Sequence, residues 1–364
     1  MDSFESALSE ATTPASRDVL GAIGLVVDAA GKVLYQHASG NQSLAPDAPP
    51  VDAHATVTLG SAGKFITHIA ALQCVDRKLL GLDDPVSQWL PELDALQIIE
   101  PSGLGGSDEP IVERWRASPA GAAHAAATAD AHMIVKLFAH PLLFEPGEGR
   151  LGEYVQANIF TPLGMDKSSF LPQTREDVLA KLLQMVERTP TSLVPFDGET
   201  RDVTVSVRDF GVLFADLIGP ASKILSAESI NLLFTPQLAD GSKALADLRG
   251  EKKGETYATS LQLPAPVEVD GVPTLPVWDL EGKGLTLNWT LAGLLVEGVH
   301  GLPLGMPPGT VTWNGMPNVV WAMHRERGIA LLFATQLIPV DDEKVVKIQL
   351  EFFKGAWATY GNAA

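Results

Sequence analysis

Apolar runs of strand length stand at both ends of this chain and are scarce in its middle. Near the N-terminus, two such runs at 23–27 and 33–37 flank an Ala-Gly turn, which predicts a β-hairpin. Further strands are predicted near the C-terminus, at 285–296, 310–313, 319–324 and 329–336. Because strands at the two ends can bury their apolar faces by pairing, we predict an α+β fold. Its antiparallel sheet is assembled from both termini and flanked by helices.

The middle of the chain predicts a separate, mainly helical and irregular insertion. Helix-like stretches occur at 131–138, 175–186 and 206–217, between loops that contain Pro and Gly. We therefore expect a sheet domain made of residues 1–84 and 285–364, and an inserted domain made of residues 85–284. A length of 364 residues with 46% hydrophobic residues is sufficient for this organisation.

The formal net charge of −18 restricts the partners of the protein. An acidic surface repels phosphate backbones and anionic lipid headgroups, so we expect neither nucleic acid nor a membrane as a partner. The sequence starts without the segments of a secretory signal, and a single cysteine, Cys74, allows no internal disulfide. We therefore expect a soluble protein of the cytoplasm. The histidines have no metal-ligand spacing and the Gly-rich stretch at 103–106 lacks the context of a phosphate site, so we expect no metal and no cofactor.

The candidate for chemistry is a Ser-x-x-Lys pattern, Ser61 and Lys64, at the start of a helix predicted over 61–80. Residues three apart share a helix face, so the lysine can reach the serine hydroxyl. A serine hydroxyl needs an adjacent base to become a nucleophile, and a lysine desolvated by burial can supply one. The pattern also fits an N-cap serine followed by a surface lysine. Because this helix is apolar on most faces, we favour the catalytic interpretation and expect Lys64 to be buried.

Six segments of the sequence occur in the order of a known family. They are VTLGSAGKFIT at 57–67, IAALQ at 69–73, LDDPV at 82–86, FEPG at 144–147, NIFTPLGM at 158–165 and GTVTWNGMPN at 309–318. In combination they resemble the β-lactamase-related serine hydrolases. The resemblance is strongest to the esterases, transesterases and fungal statin-type acyltransferases that are similar to class C β-lactamases. It covers nearly the whole chain and implies a β-lactamase/transpeptidase-like fold.

This resemblance implies a role for each matched residue. Ser61 would be the acylated nucleophile and Lys64 its proton partner. The segment Trp313-Asn314-Gly315 stands where β-lactamases carry Lys-Thr-Gly. The backbone N–H that follows this glycine, that of Met316, would complete an oxyanion hole with the N–H of Ser61. A tryptophan in place of the lysine removes the cation that would hold a β-lactam carboxylate, and its apolar surface favours neutral esters or thioesters.

The sequence departs from the family where a catalytic tyrosine is expected in a Trp-x-Tyr-Ser-x-Gly-like segment. Residues 147–150 run directly into 151–156, which matches the family's next helix. Tyr154 in that helix is therefore predicted to be a packing residue, and the inserted domain is predicted to be shortened. Two explanations stay open at this point. Either the protein has lost catalytic parts, or its coding sequence has been read incompletely.

Two functions follow from these residues. The first is an enzyme of specialised metabolism, a serine acyltransferase, transesterase or esterase. It would take an acyl group from a small-molecule donor through an acyl-Ser61 intermediate and pass it to a small-molecule acceptor or to water. The second is a catalytically impaired binding protein on the same scaffold. Rapid turnover would require another residue to replace the missing base, and Tyr257 is the candidate in the middle region.

Overall fold

The computed structural model describes residues 1–89, 118–119, 122–123, 126, 151–197, 203–249, 267–269, 272–274, 286–298 and 306–361. The predicted helix at 131–138, the segment at 144–147 and Tyr257 lie outside these residues. All of the candidate residues around Ser61 lie within them.

Internal contacts divide the chain into two compact units. One is made of Met1–Arg77 and Leu151–Ala364, and the other is Lys78–Arg150. The first unit contains the sheet and the Ser61 segment. The boundaries predicted above, with an inserted domain over 85–284, stay a prediction.

The helices surround the sheet and are mostly short. The described α-helices are α1 (Asp2–Ala11), α2 (Lys64–Asp76), α3 (Leu151–Val155), α4 (Thr161–Leu163), α5 (Glu176–Leu179), α6 (Val207–Ile218), α7 (Ala227–Leu232), α8 (Lys243–Arg249) and α9 (Glu343–Tyr360). Turns of 3-10 helix are at Gly60–Gly63, Val86–Gln88 and Pro172–Thr174, and a π-helical turn is at Gln156–Phe160. Within the described residues, no helix is both long and apolar enough to cross a membrane.

The strands come from both halves of the chain. They are β1 (Gly21–Asp28), β2 (Val33–Gly40), β3 (Thr56–Thr58), β4 (Val186–Arg188), β5 (Leu193–Pro195), β6 (Thr204–Ser206), β7 (Val267–Val269), β8 (Val272–Thr274), β9 (Thr286–Trp289), β10 (Leu294–Gly298), β11 (Thr310–Gly315), β12 (Val319–His324), β13 (Ile329–Thr335) and β14 (Leu337–Ile338).

A seven-stranded antiparallel sheet joins the two ends of the chain. Its order is β2-β1-β13-β12-β11-β10-β9. The central junction pairs β1 with β13, in a register that runs from Ala22 opposite Thr335 to Asp28 opposite Ile329. The prediction of an α+β fold with one sheet built from both termini is confirmed.

Two predicted elements differ in the structure. The single strand predicted at 285–296 is wrong, because Thr290 breaks it into β9 and β10: its Oγ1 accepts hydrogen bonds from the N–H groups of Ala292 and Gly293. The helix predicted at 175–186 is also wrong beyond Leu179, where the chain turns toward β4. In both cases the backbone forms hydrogen bonds with a side chain or with a neighbouring strand, and local sequence propensity does not include such bonds.

The sheet is buried on both faces, so the side chains of its central strands alternate between two cores. From β1, Leu25 and Val27 face the core that includes α2 and α6, whereas Ala22 and Val26 face the core that includes α1 and α9. Each large apolar side chain that is fully buried contributes about 1.5–3 kcal/mol. The first of these cores forms the base on which the Ser61 segment rests.

Candidate active site

Strand β3 leads into Ser61 and is fixed at its end by Gln336. The side-chain Oε1 of Gln336 accepts a hydrogen bond from the N–H of Thr58 at 3.0 Å, and its Nε2 donates to the Thr58 carbonyl at 2.9 Å. Gly60 follows with φ +56°, a left-handed conformation that favours glycine. This backbone turn places Ser61 in the 3-10 turn that opens α2.

Ser61 and Lys64 are in direct contact. Lys64 Nζ lies 2.5 Å from Ser61 Oγ, a distance over which a proton can pass. The Lys64 side chain is exposed, so the expectation of a buried lysine is wrong. Apolar residues cover the inner sides of α2, and the remaining face is exposed and carries Lys64, Thr67 and His68. The sequence overstated burial because it shows how apolar a helix is without showing which side stays uncovered.

The end of β11 lies against the 3-10 turn Gly60–Gly63, which contains Ser61 and is called the nucleophile turn. A Cβ atom on Gly315 would lie 1.9 Å from the carbonyl oxygen of Leu59 and 2.9 Å from the amide nitrogen of Ala62. A Cβ atom on Gly60 would lie 3.2 Å from the amide nitrogen of Met316. Glycine at both positions therefore lets two backbone segments approach more closely than side chains would allow. The approach brings the backbone of Met316 next to the residue that precedes Ser61.

The turn that carries Met316 is held by Asn318, to which the sequence analysis gave no role. Asn318 is fully buried and has φ +58°. Its Nδ2 donates to the carbonyls of Leu337 and Pro339 at 2.7 and 2.8 Å, and its Oδ1 accepts from the N–H of Asp341 at 2.9 Å. The sequence signal that could have identified Asn318 is an asparagine between two predicted strands, since asparagine tolerates left-handed turn positions.

A buried aromatic cluster packs against the nucleophile turn on the side of the core. Trp321 donates its Nε1–H to the carbonyl of Ala62 at 3.0 Å, and its ring lies 4.9 Å from that of Phe65. Phe210 and Phe214 from α6 complete the cluster, with their ring centroids 4.4 Å apart. Because a buried indole needs a partner for its N–H, this hydrogen bond fixes β12 relative to the turn. In the sequence, the one signal for Trp321 is its place in a predicted strand.

Two tryptophans form an apolar wall beside the site. Trp313, in β11, is half-buried, and its ring meets that of Trp289 with centroids 5.0 Å apart at 60°. Trp313 is the second residue before Gly315 on the same strand, so both lie on one face. The structure thus brings Gly315 and Met316 against the turn that contains Ser61, whose hydroxyl contacts Lys64, and it places Trp313 two residues before Gly315 on the same strand.

Tyr154 lies at the opposite end of α2. Its hydroxyl is 3.9 Å from the sulfur of Cys74, and the guanidinium of Arg77 lies 5.5 Å from its ring centroid. Burial, with a further contribution from Cys74, raises the pKa of Tyr154 above its ordinary value. Cys74 follows Lys64 by about three helical turns, roughly 15 Å at 1.5 Å per residue. These contacts agree with the packing role predicted for Tyr154.

The remaining described tyrosines, Tyr35 and Tyr360, pack against the core on the other face of the sheet. In the part of the chain that the structure describes, no tyrosine therefore contacts Ser61 or Lys64. The same ranges contain no group of three or more His, Cys, Asp or Glu side chains that could hold a metal ion.

This chain is similar in sequence to known proteins. The sequence model of the Beta-lactamase family matches residues 7–109. The acyltransferase calJ of Penicillium decumbens is 26% identical over 389 residues, which cover 91% of this chain and 87% of that protein. The lovastatin esterase of Penicillium rubens is 25% identical over 404 residues, which cover 93% of this chain and 94% of that protein.

The fold comparison agrees with the sequence comparison. The simvastatin synthase of Aspergillus terreus superposes with a TM-score of 0.78 at 22% identity, covering 99% of this chain and 98% of that one. The regions aligned with the two relatives above are longer than the 364 residues of this chain, so both relatives contain residues that have no counterpart here. In its fold this chain is similar to the simvastatin synthase, in its sequence to the fungal acyltransferase and esterase, and over residues 7–109 to the Beta-lactamase family.

Proposed function

We propose that this protein transfers an acyl group from a small-molecule ester or thioester through an acyl-enzyme on Ser61 Oγ. The observation that carries the proposal is the 2.5 Å contact between Ser61 Oγ and Lys64 Nζ, because a serine hydroxyl becomes nucleophilic when a base stands within hydrogen-bond reach. The names of the relatives, an acyltransferase and an esterase, support the same reaction class.

The acylation step requires the neutral form of Lys64, which takes the hydroxyl proton while Ser61 Oγ attacks the acyl carbon. A bond forms between Oγ and this carbon, and the carbonyl oxygen acquires negative charge. The N–H groups of Ser61 and Met316 would stabilise that oxygen, since the first N–H groups of a helix lack intrahelical partners and Met316 borders Gly60. The bond to the leaving group then breaks, the leaving group takes a proton from solvent, and Lys64 keeps the serine proton.

The wall beside the site indicates the substrate class. Trp313 and Trp289 present apolar surface where a β-lactamase-like lysine would present a positive charge. An uncharged acyl group loses less hydration than a carboxylate when it packs on this surface. We therefore propose neutral acyl donors and small-molecule acceptors of specialised metabolism. A location in the cytoplasm remains a prediction from the sequence.

A second candidate is a binding protein that acylates poorly or not at all. Two observations favour it: the relatives contain residues that this chain lacks, and no described tyrosine reaches Ser61. The absence of a positioned base affects the second half-reaction more than the first, because Lys64 serves the first. We expect slow acylation and slower deacylation.

Pre-steady-state kinetics with an activated aryl ester test the proposal. We expect a burst of released phenol close to one equivalent of enzyme, followed by slow turnover. The Ser61→Ala variant should show no burst. Rapid turnover without a burst would contradict the slow second step, and the absence of both burst and turnover would favour the binding protein.

A further inference from the structure

We propose that Trp321 is a positioning residue of the acylation step, whose indole N–H sets the separation of the two backbone donors of the oxyanion hole. This inference rests on the acyl-Ser61 intermediate and the oxyanion hole proposed above. The two donors are the N–H groups of Ser61, in the nucleophile turn, and of Met316, directly after β11. Two donors stabilise a developing charge when both lie about 2.7–3.1 Å from the oxygen that carries it. Their separation must therefore be held before the reaction starts.

The backbone of Trp321 is tied to the strand that leads to Met316. Trp321 belongs to β12, where it lies opposite Trp313 of β11, and the pairing of the two strands continues to Gly315. The hydroxyl of Thr312 also donates a hydrogen bond to the Trp321 carbonyl at 2.7 Å. The Trp321 backbone therefore has a fixed position relative to the second donor.

The side chain of Trp321 is tied to the nucleophile turn. Its Nε1–H donates to the carbonyl of Ala62 at 3.0 Å, and both residues are fully buried. Ala62 directly follows Ser61, and its own N–H donates to the Leu59 carbonyl at 3.2 Å. The contact of Gly315 with this turn limits how near β11 can come. The hydrogen bond from Trp321 resists separation, so the two contacts together fix the gap between the donors.

The indole ring is packed on several sides and cannot swing away from the Ala62 carbonyl. Its centroid lies 4.9 Å from that of Phe65 in α2 and 6.0 Å from that of Phe214 in α6. A Cβ atom on Gly293, between β9 and β10, would lie 3.1 Å from Cη2 of Trp321. Because close-packed side chains transmit displacements of their neighbours, a shift of β12 reaches the nucleophile turn through this ring.

The Trp321→Phe variant keeps an aromatic ring and removes the N–H. We expect acylation of Ser61 by an activated aryl ester to fall roughly 10- to 100-fold, since loss of a whole oxyanion donor costs about 100- to 1,000-fold. The loss should appear in the acylation rate constant and not in the dissociation constant of the ester, because the charge develops in the transition state. Rates are expressed per site labelled by a phosphonate at completion, so unfolded protein does not contribute.

A thionoester, in which sulfur replaces the carbonyl oxygen, gives a readout that a merely structural role would not change. Sulfur is a weak hydrogen-bond acceptor, so a thionoester gains little from the two donors in either protein. The ratio of the ester rate to the thionoester rate should therefore fall in Trp321→Phe by the factor that the ester loses. The matched control is Trp357→Phe, which removes an indole N–H from a buried tryptophan of α9 in the other core, and its ratio should equal that of the wild type.

A second variant keeps the test decisive if the phenylalanine variant does not fold. Replacement of Trp321 by benzothienylalanine puts sulfur in place of the N–H, nearly preserves the shape of the indole, and should lower the same ratio. If the wild type is acylated and the ratio is unchanged in the Trp321 variant, the role of Trp321 alone is overturned, even where acylation is slower. If the wild type forms no acyl-enzyme, the proposed function falls and the role of Trp321 with it.

Discussion

The two ends of helix α2 use polar side chains in opposite ways. At the C-terminal end, the Asp76 carboxylate accepts hydrogen bonds from the N–H and Oγ of Ser226 and from Ser229 Oγ, at 2.8, 2.6 and 2.7 Å. At the N-terminal end, Ser61 and Lys64 share one hydrogen bond on an exposed face. The hydrogen bonds from Ser226 and Ser229 immobilise the Asp76 carboxylate, whereas Ser61 and Lys64 keep hydrogen-bonding capacity for another molecule. We therefore expect changes at the N-terminal end of α2 to alter chemistry and changes at its C-terminal end to alter stability.

Replacing Lys64 with alanine should have the largest effect on chemistry. Acylation of Ser61 by an activated aryl ester should fall roughly 100- to 10,000-fold, because positioned proton transfer typically contributes that much. The thermal midpoint should change little, since the lysine side chain is exposed. Stopped-flow kinetics and thermal unfolding measure the two quantities. Lys32→Ala, which replaces an exposed lysine between β1 and β2, is the control, and equal acylation rates in the two variants would contradict the role of Lys64.

Gly315→Ala should damage both chemistry and stability. The new Cβ would lie 1.9 Å from the Leu59 carbonyl oxygen, so β11 and the nucleophile turn must separate. We expect a loss of about 1–3 kcal/mol in the free energy of unfolding and a fall in acylation of roughly 100-fold as Met316 moves away. Gly355→Ala is the matched control, because its Cβ meets the flexible Met1 side chain and alanine favours the helix. A Gly315→Ala protein with the stability and activity of the wild type would show that the close approach is unimportant.

Asp76→Asn should affect stability in a pH-dependent way. Burial raises the pKa of Asp76, but the hydrogen bonds from Ser226 and Ser229 outweigh it and hold this pKa below its ordinary value. The ionised group therefore stabilises the fold above the unfolded-state pKa of about 3.9, and this contribution is lost as the pH falls through the lower folded-state value. Denaturant unfolding should show a deficit of about 1 kcal/mol for the variant at pH 7. The deficit should shrink below about pH 4, and a deficit that grows there would refute the assignment.

Tyr154→Phe should have the smallest effect. The hydroxyl makes one long contact with Cys74, and its ring keeps the stacking with Arg77 when the oxygen is removed. Stability should change by no more than about 0.5 kcal/mol, and the burst and turnover rates should equal those of the wild type. A large loss of turnover would mean that Tyr154 serves as the family tyrosine after all.

The sequence predicted the sheet well because its strands are apolar on alternate or on both faces and are separated by turn residues. β12 and β13 were predicted within one residue of their observed bounds. The break at Thr290 was not foreseen, since it depends on a side chain that bonds to its own turn. Local patterns report propensity and burial, and they do not report such competing hydrogen bonds.

Only part of the site was predicted, because local patterns do not report contacts that form on folding. Ser61, Lys64 and Gly315 carry a recognisable pattern, and the structure brings them together. Asn318 and Trp321 act through partners distant in the sequence, the carbonyls of Leu337 and Ala62 respectively, and those contacts exist only after folding. The exposure of Lys64 likewise depends on which side of α2 the rest of the chain covers.

If Ser61 is an activated nucleophile, a serine-directed phosphonate should label it, and intact-mass analysis measures the label. We expect one phosphonate per wild-type chain and none on Ser61→Ala under the same conditions. An adduct of equal yield on Ser61→Ala would contradict the claim, because the label would then report another residue.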